Sequence, residues 1–366
     1  FDSVYQIQQG IGINELTTHY PLLHTMIIKV CIKLGLMIAG NYELGAGIYS
    51  ILQMLFMSGV FAFVLTYMKK KNVNVIILIC SLIFFMFYPV FGMYSITMWK
   101  DIPFALSFTL FLICVYEIIT NKEKFLSSKK NNVLFVIVML LLVFFRNNGI
   151  YILILMIPVI YIYAKKYYKR LTILFVIVIV CYKFVNGPLL EYFSIPKGSI
   201  REALSVPLQQ LARVEANKSD MLTEDEYTEI HKFIKSNNIK SIYNPRLSDP
   251  VKEAFDDEYF KTNKFDFFKL WLQLFFKFPK EYVESLLCNS VGYWYPETVH
   301  TVITKNIYKF DYGIEIKNKP ILNLEFVDYY VDMVDRRNIP VVGMLFSIGA
   351  SVWLIIILSA YNLYKK

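Results

Sequence analysis

The chain has 366 residues, 56% of them hydrophobic, 17% aromatic and only 18% charged, and its apolar residues arrive in unbroken blocks instead of amphipathic stripes. That pattern excludes an ordinary soluble domain and marks a membrane protein. The formal net charge of +9 does not point to nucleic acid, because the lysines flank apolar blocks or are spread through one hydrophilic segment, as around membrane spans.

The first residue is Phe1, followed at once by polar sequence with no signal peptide, so a further amino-terminal segment with room for a span is expected upstream. Residues 1–45 are expected to form an extracytoplasmic loop. Leu22 to Ala39 is apolar enough to span, but a lysine at a span's centre costs about 2.5–3.5 kcal/mol, and Lys29 and Lys33 both fall here. A helix lying on the outer interface is predicted instead. Residues 46–187 are predicted to hold about six spans, since a hydrocarbon core needs roughly 20 apolar residues per helix. The blocks 46–68, 74–93, 101–120 and 171–187 qualify, as does 340–361 near the carboxyl end. Between Asn132 and Ala164 the apolar run is interrupted by Arg146, Asn147, Asn148 and Gly149, which predicts two short helices joined by a tight turn at the outer surface.

Orientation follows from the basic clusters Lys69–Lys71, Lys122–Lys130, Lys165–Arg170 and Lys365–Lys366, each separated from the next by two predicted spans. All four can then be cytoplasmic in the cell membrane. Residues 188–339 become a mainly helical extracytoplasmic domain, and 340–366 a final span with a basic cytoplasmic tail. Within the domain, Thr223 and Glu226 have capping-box spacing, Asp249–Pro250 marks a helix start, and 265–287 is amphipathic, broken at Pro279, and expected to rest on the membrane surface. The fold class is an all-α integral membrane protein, a multi-span helical bundle. The cysteines Cys31, Cys80, Cys114, Cys181 and Cys288 form no C-x-x-C pair, and neither a disulfide framework nor a zinc site is expected.

Four polar groups fall on the same outer face. Asp2 shares one helical side with Gln6 and Gln9, although a loop acid is ordinarily a solvated charge. His19 and His24 flank Pro21 near the headgroups, where wet surface residues are the ordinary expectation; Pro21 interrupts any metal spacing on one helix. Lys100–Asp101 opens the 101–120 span, where a helix start and a snorkelling lysine would explain each residue alone. Arg146, with Asn147, is expected in a protein-lined cavity at membrane depth, the alternative being an anchor at the headgroups. Together an acid, a Lys–Asp pair and an Arg suit a lipid phosphate: the cations neutralise it and a carboxylate takes a proton from an attacking hydroxyl. In the outer domain Gln209, Gln210 and Arg213 share a helical face that fits a sugar or pyrophosphate, or plain packing. Trp294–Tyr295–Pro296 fits a sugar platform or an interfacial belt. His231 is read as a surface residue.

From Phe1 to Gly35 the order FDS-x-x-Q, THYPLLHT and a helix ending in Lys33-Leu34-Gly35 resembles the first external loop of GT-C superfamily membrane glycosyltransferases. The segments WKDIPFAL, FRNNGIY, SVPLQQLARV, YNPRLSDPVK and GYWYP are similar to a bacterial family of polytopic proteins grouped as a domain of unknown function numbered 6020. The resemblance implies a GT-C type bundle and inverting transfer of a sugar from a polyprenyl-phosphate carrier to a glycan or other cell-surface acceptor. By that similarity Asp2 takes the place of the catalytic base. Asp101 matches a later acidic position that orders the acceptor or an ion, and Lys100 and Arg146 hold the carrier phosphate. The family's Pro-Pro or His-Pro element stands here as His19-Tyr20-Pro21. No cofactor is required, although Asp2 and Asp101 could share Mg²⁺ or Mn²⁺. The expected partners are the lipid-linked donor, the acceptor and membrane lipid, with no nucleic acid. The rivals are a transporter or flippase of lipid-linked glycans and a non-catalytic envelope protein.

Overall fold

A computed structural model describes residues 2–296 and 340–365, with Asp2 and residues 340–342 described by their backbone alone. Every regular element among the described residues is a helix, and only two isolated β-bridges occur. The described residues divide into two compact units, one holding residues 2–198, the other 199–296 and 340–365.

The first unit opens with α1 (Asp2–Ile11) and α2 (Leu22–Ala39), which turns at Gly40 into α3 (Tyr42–Lys70). Gly40 takes the left-handed conformation that a tight helix stop requires, with φ 66°, and the Asn41 side chain caps the next helix by accepting from Leu44 N–H. A Cβ at Gly35 would overlap Gly45 N, and one at Gly45 would lie 2.6 Å from Ile32 Cα. Backbone therefore packs on backbone along the α2–α3 hairpin, the contact small residues allow between apolar helices.

Among the described residues four helices are long and apolar enough to cross a membrane: Leu22–Ala39, Tyr42–Lys70, Asp101–Thr120 and the run Lys165–Tyr192. These lengths agree with a membrane protein. Because α2 passes the same length and apolarity test, its expected place on the interface rests on Lys29 and on Lys33, which is exposed.

The block expected to span over 74–93 is broken. α4 (Val75–Phe87) and α5 (Pro89–Ile96) meet at a 50° bend, where Pro89 supplies no N–H to continue the first helix and sits well at the start of the second. α6 is Asp101–Thr120, as predicted, and the short α7 (Lys122–Ser127) leads into α8 (Lys129–Phe145) and α9 (Gly149–Tyr163). α10 (Tyr168–Phe184) runs on through a π turn over Val185–Leu189, which absorbs Pro188 without ending the helix. α6, α8, α9 and α10 enclose the unit's main core, in which Phe111, Phe135, Met139, Leu142, Leu153, Leu171 and Val178 are essentially inaccessible.

The α8–α9 turn depends on Gly149, whose added Cβ would overlap the backbone carbonyl of Leu142. A carbonyl inside a packed helix cannot move aside. Gly149→Ala is expected to destabilise the bundle by about 1–3 kcal/mol, seen as a lower thermal transition of the purified protein in detergent, with Gly149→Leu failing to accumulate. An unchanged transition would mean the two helices are free to separate.

The basic clusters gather at one end of this unit. Lys71 Nζ is 2.5 Å from Glu117 Oε1, Lys122 donates to Tyr163 O at 3.1 Å, Lys166 lies 3.4 Å from Glu123, and Arg170 donates to Leu126 O.

The second unit is built from α11 (Ser205–Lys218), α12 (Glu224–Phe233), α13 (Asp249–Glu253), α14 (Lys264–Lys277), α15 (Pro279–Asn289), α16 (Val291–Trp294) and α17 (Ile348–Tyr364), with shorter turns between. The predicted capping box is present at Thr223 and Glu226, Pro250 lies in the first turn of α13, and Pro279 separates α14 from α15. Leu208, Leu211, Phe233, Phe267 and Tyr282 centre its core. Phe265, Phe268, Leu272 and Phe276 remain exposed on α14. Instead of one span over 340–361, Pro340–Leu345 forms a separate helix, because Ser347 takes extended backbone and its buried side chain caps α17 by accepting from Ala350 N–H. The five cysteines are free.

Glu226 ties α12 to α14. Burial works against its charge, but Lys277 Nζ at 2.6 Å, the Thr223 N–H at 2.9 Å and Gln273 Nε2 at 3.0 Å outweigh it and hold the carboxyl below its usual range. A carboxyl depressed on folding contributes stability that is present above its unfolded value, about 4.3, and lost as pH falls through the lower folded one. The thermal transition of this unit is expected to drop in that acid window, and Glu226→Gln should flatten the drop while lowering stability at neutral pH. An identical acid profile for both proteins would remove Glu226 as its cause.

Candidate functional site

Opposite the basic end, four separate segments of the first unit meet. Lys100 and Asp101 lie at the start of α6, where a carboxylate suits the positive end of the helix. Arg146 leaves the end of α8 in extended backbone, φ −149° and ψ 129°, which turns its side chain off the helix towards α6. Its Nη1 is 2.8 Å from Asp101 Oδ1, and its guanidinium lies 5.6 Å from the centre of the Phe104 ring. The contact is an ion pair without an aligned hydrogen bond, since Asp101 Oδ1 accepts none. Both charges keep access to solvent, 44% for the Arg146 side chain and 29% for Asp101, so the pair is open to a ligand that competes for the guanidinium.

Lys100 Nζ stands 5.2 Å from the centre of the Tyr20 ring. Asn147 Nδ2 donates to Thr18 O at 3.0 Å, and Thr18 is held in turn by its N–H to Pro196 O at 3.1 Å and by Gly198 N–H to its hydroxyl at 3.0 Å. Ser3 Oγ donates to Met98 O at 2.7 Å, which sets the first turn of α1 beside the segment leading to Lys100. The Asp2 side chain lies outside the described residues. The structure thus gathers Lys100, Asp101, Arg146, Asn147 and the 17–20 segment.

Three expectations change. Arg146 sits on an exposed turn with Asn147 and Asn148, not in an enclosed cavity, because α8 stops at Phe145 and the turn projects outward. The two histidines part company: His19 is exposed, whereas His24 is only 1% accessible, with Nδ1 3.1 Å from Gln6 Oε1 and Nε2 2.6 Å from Tyr49 OH. Pro21 starts α2 between them and rotates His24 into the α1–α2–α3 contact. His231 is half-buried, its Nδ1 2.8 Å from Ser236 O and its Nε2 3.6 Å from Glu215. Burial pushes the Glu215 carboxyl up.

In the second unit, Gln209, Gln210 and Arg213 are taken up by packing. Gln209 donates to Asn244 O and Leu247 O, and Gln210 bridges Tyr282 O and Trp271 Nε1. Arg213 meets Glu281 Oε2 at 2.9 Å, Tyr243 OH at 3.2 Å, and Glu284. Trp294 donates to Leu287 O at 3.2 Å, and Trp353 of α17 donates to Trp294 O at 2.7 Å, so this aromatic is anchored on an apolar helix.

Residues that sequence reasoning passed over include Tyr49 and Gln53, whose spacing of four inside an apolar block was the available signal, and Glu117, a carboxylate near the end of α6 that accepts from Tyr67 OH at 2.5 Å. Among the described residues no three His, Cys, Asp or Glu side chains converge to hold a metal, and Asp101 already faces a guanidinium. A shared Mg²⁺ or Mn²⁺ would have to displace that contact.

No curated protein matches the chain, and no solved structure does. A family model matches residues 13–366, and the chain belongs to the family of unknown function DUF6020.

Proposed function

We propose that this is a membrane glycosyltransferase of the GT-C type that moves a sugar from a polyprenyl-phosphate carrier to a glycan or other acceptor outside the cytoplasm. The observation that carries the reading is the meeting of Lys100, Asp101, Arg146 and Asn147 at the end of the bundle opposite the basic clusters. By the positive-inside rule the basic end faces the cytoplasm and the cluster faces outward, level with lipid headgroups.

At that level Lys100 and Arg146 take the charge of the carrier phosphate, which grows as the sugar–phosphate bond breaks. Asp101 orients the guanidinium. The acceptor hydroxyl attacks the anomeric carbon from the face opposite the phosphate, so the new carbon–oxygen bond forms as the old one breaks and the configuration inverts. Its proton passes to Asp2, and the phosphate departs on the carrier without needing a strong acid. No step is routed through a metal.

The broken α4–α5 pair favours a second reading, since transporters bind substrates at discontinuous helices. Purified protein reconstituted in vesicles with polyprenyl-phosphate sugars separates the two. Sugar transfer to an acceptor supports the transferase, whereas movement of the lipid across the bilayer with no transfer supports the transporter.

A further inference from the structure

Four buried polar side chains connect α1, α2 and α3 to the segment that delivers Lys100 and Asp101, and the chemistry above uses none of them. Gln6, His24, Tyr49 and Gln53 are 0%, 1%, 3% and 5% accessible. Gln53 Nε2 lies 2.8 Å from Tyr94 O, 3.2 Å from Ser95 O and 2.7 Å from Thr97 O. Those carbonyls belong to the end of α5 and the residue after it, past the regular helical ladder, where Tyr94 O still accepts from Thr97 N–H and Thr97 O from Trp99 N–H, each with acceptor capacity to spare. A single side chain therefore caps the helix and sets the direction in which the chain leaves it. Lys100 follows Thr97 by three residues.

The polarity of the chain can be read outward from Gln53. Carbonyls only accept, so the Gln53 amide nitrogen must face them and its Oε1 is left to accept from Tyr49 O–H at 2.8 Å. That uses the one hydroxyl proton of Tyr49. Its oxygen then accepts from His24 Nε2–H at 2.6 Å, which fixes a proton on that ring nitrogen. His24 Nδ1, then without a proton, needs a donor, so the Gln6 side-chain amide of α1, 3.1 Å away, must turn its NH2 to the ring and its oxygen to Thr25 Oγ1. A buried network in which each member holds the next specifies one arrangement, and leaving any member unpaired is unfavourable.

We infer that Gln53, held by Tyr49 and His24, is a positioning residue that fixes the 94–101 segment and so places Lys100 and Asp101. The use of that placement rests on the transferase reading, but the placement itself does not. Hydrogen–deuterium exchange of the purified full chain tests it in Gln53→Leu and in the milder Tyr49→Phe, which keeps the question open to test if the first variant does not fold. Amides of residues 94–101 are expected to exchange about 10-fold faster, the equivalent of losing one hydrogen bond, with α10 and the second unit unchanged. Sugar transfer should fall, in part through a higher KM for the lipid donor, because Lys100 is no longer held where the donor phosphate would bind.

Unchanged exchange over 94–101 in both variants would overturn the inference, as would faster exchange with transfer left intact. Faster exchange in a protein whose parent form transfers no sugar would support the clamp and sink the transferase reading instead.

Discussion

Sugar transfer by the Asp2→Asn variant is expected to run about 10²–10⁴-fold slower than by the parent chain, the range a positioned general base contributes. Phosphate leaves readily, so the difficult part of the reaction is removing the acceptor's proton as its oxygen attacks. Asparagine matches aspartate in size and polarity but cannot take that proton. The other acid in the cluster is no ready substitute, because Asp101 faces the Arg146 guanidinium at 2.8 Å. The loss should appear in kcat, with KM for the lipid donor nearly unchanged, since the residues proposed to hold the donor phosphate are Lys100 and Arg146. The thermal transition should not move, because Ser3 still ties α1 to Met98 O. Steady-state rates with a polyprenyl-phosphate sugar give the answer, and equal rates would remove Asp2 from the mechanism.

Arg146→Ala is expected to lower transfer by about 10²–10³-fold, the usual consequence of deleting one charged donor aimed at a developing anion. It also leaves the Asp101 carboxylate, only 29% accessible, without its cation. Part of any loss could therefore be structural. The double variant Asp101→Asn/Arg146→Ala separates the two effects: it removes both charges, so stability should recover towards the parent value while transfer stays low. Arg146→Lys should retain part of the rate, because an ammonium supplies the charge without the planar fork that grips two phosphate oxygens. Recovery of transfer in the double variant would mean that Arg146 serves only to neutralise Asp101.

Local signals were legible from the sequence. Asp101 marked the start of α6, the Arg146–Gly149 turn separated two short helices, Thr223 and Glu226 announced a capping box, and Pro279 divided α14 from α15. In each case the information sits within a few residues of the feature. The meeting of Lys100, Asp101 and Arg146 was also within reach, because counting spans puts their segments at one end.

What escaped depends on partners distant in the chain. His24 looked like a wet interfacial residue until Gln6 and Tyr49, eighteen residues before it and twenty-five after, closed around its ring. Gln209, Gln210 and Arg213 fitted a binding face as well as packing because nothing nearby announces their partners, Asn244 O and Leu247 O for Gln209, Tyr282 O for Gln210 and Glu281 for Arg213. Pro89 was visible, but hydropathy averaged over 74–93 hid the bend it makes. Asp2 remains a role carried by resemblance and by the position of its backbone neighbour Ser3.

The central claim is that the polar cluster and the basic clusters stand on opposite faces of the membrane, and labelling of single cysteines tests it most directly. With the five native cysteines replaced, one cysteine is placed at Trp99, Asn148, Lys70 or Lys122, and intact cells are treated with a membrane-impermeant thiol reagent. Labelling at 99 and 148 from outside, with 70 and 122 reached only after permeabilisation, is the predicted result. Labelling of 99 and 148 from different sides would contradict it, for then no common site exists in which Lys100 and Arg146 can hold one phosphate.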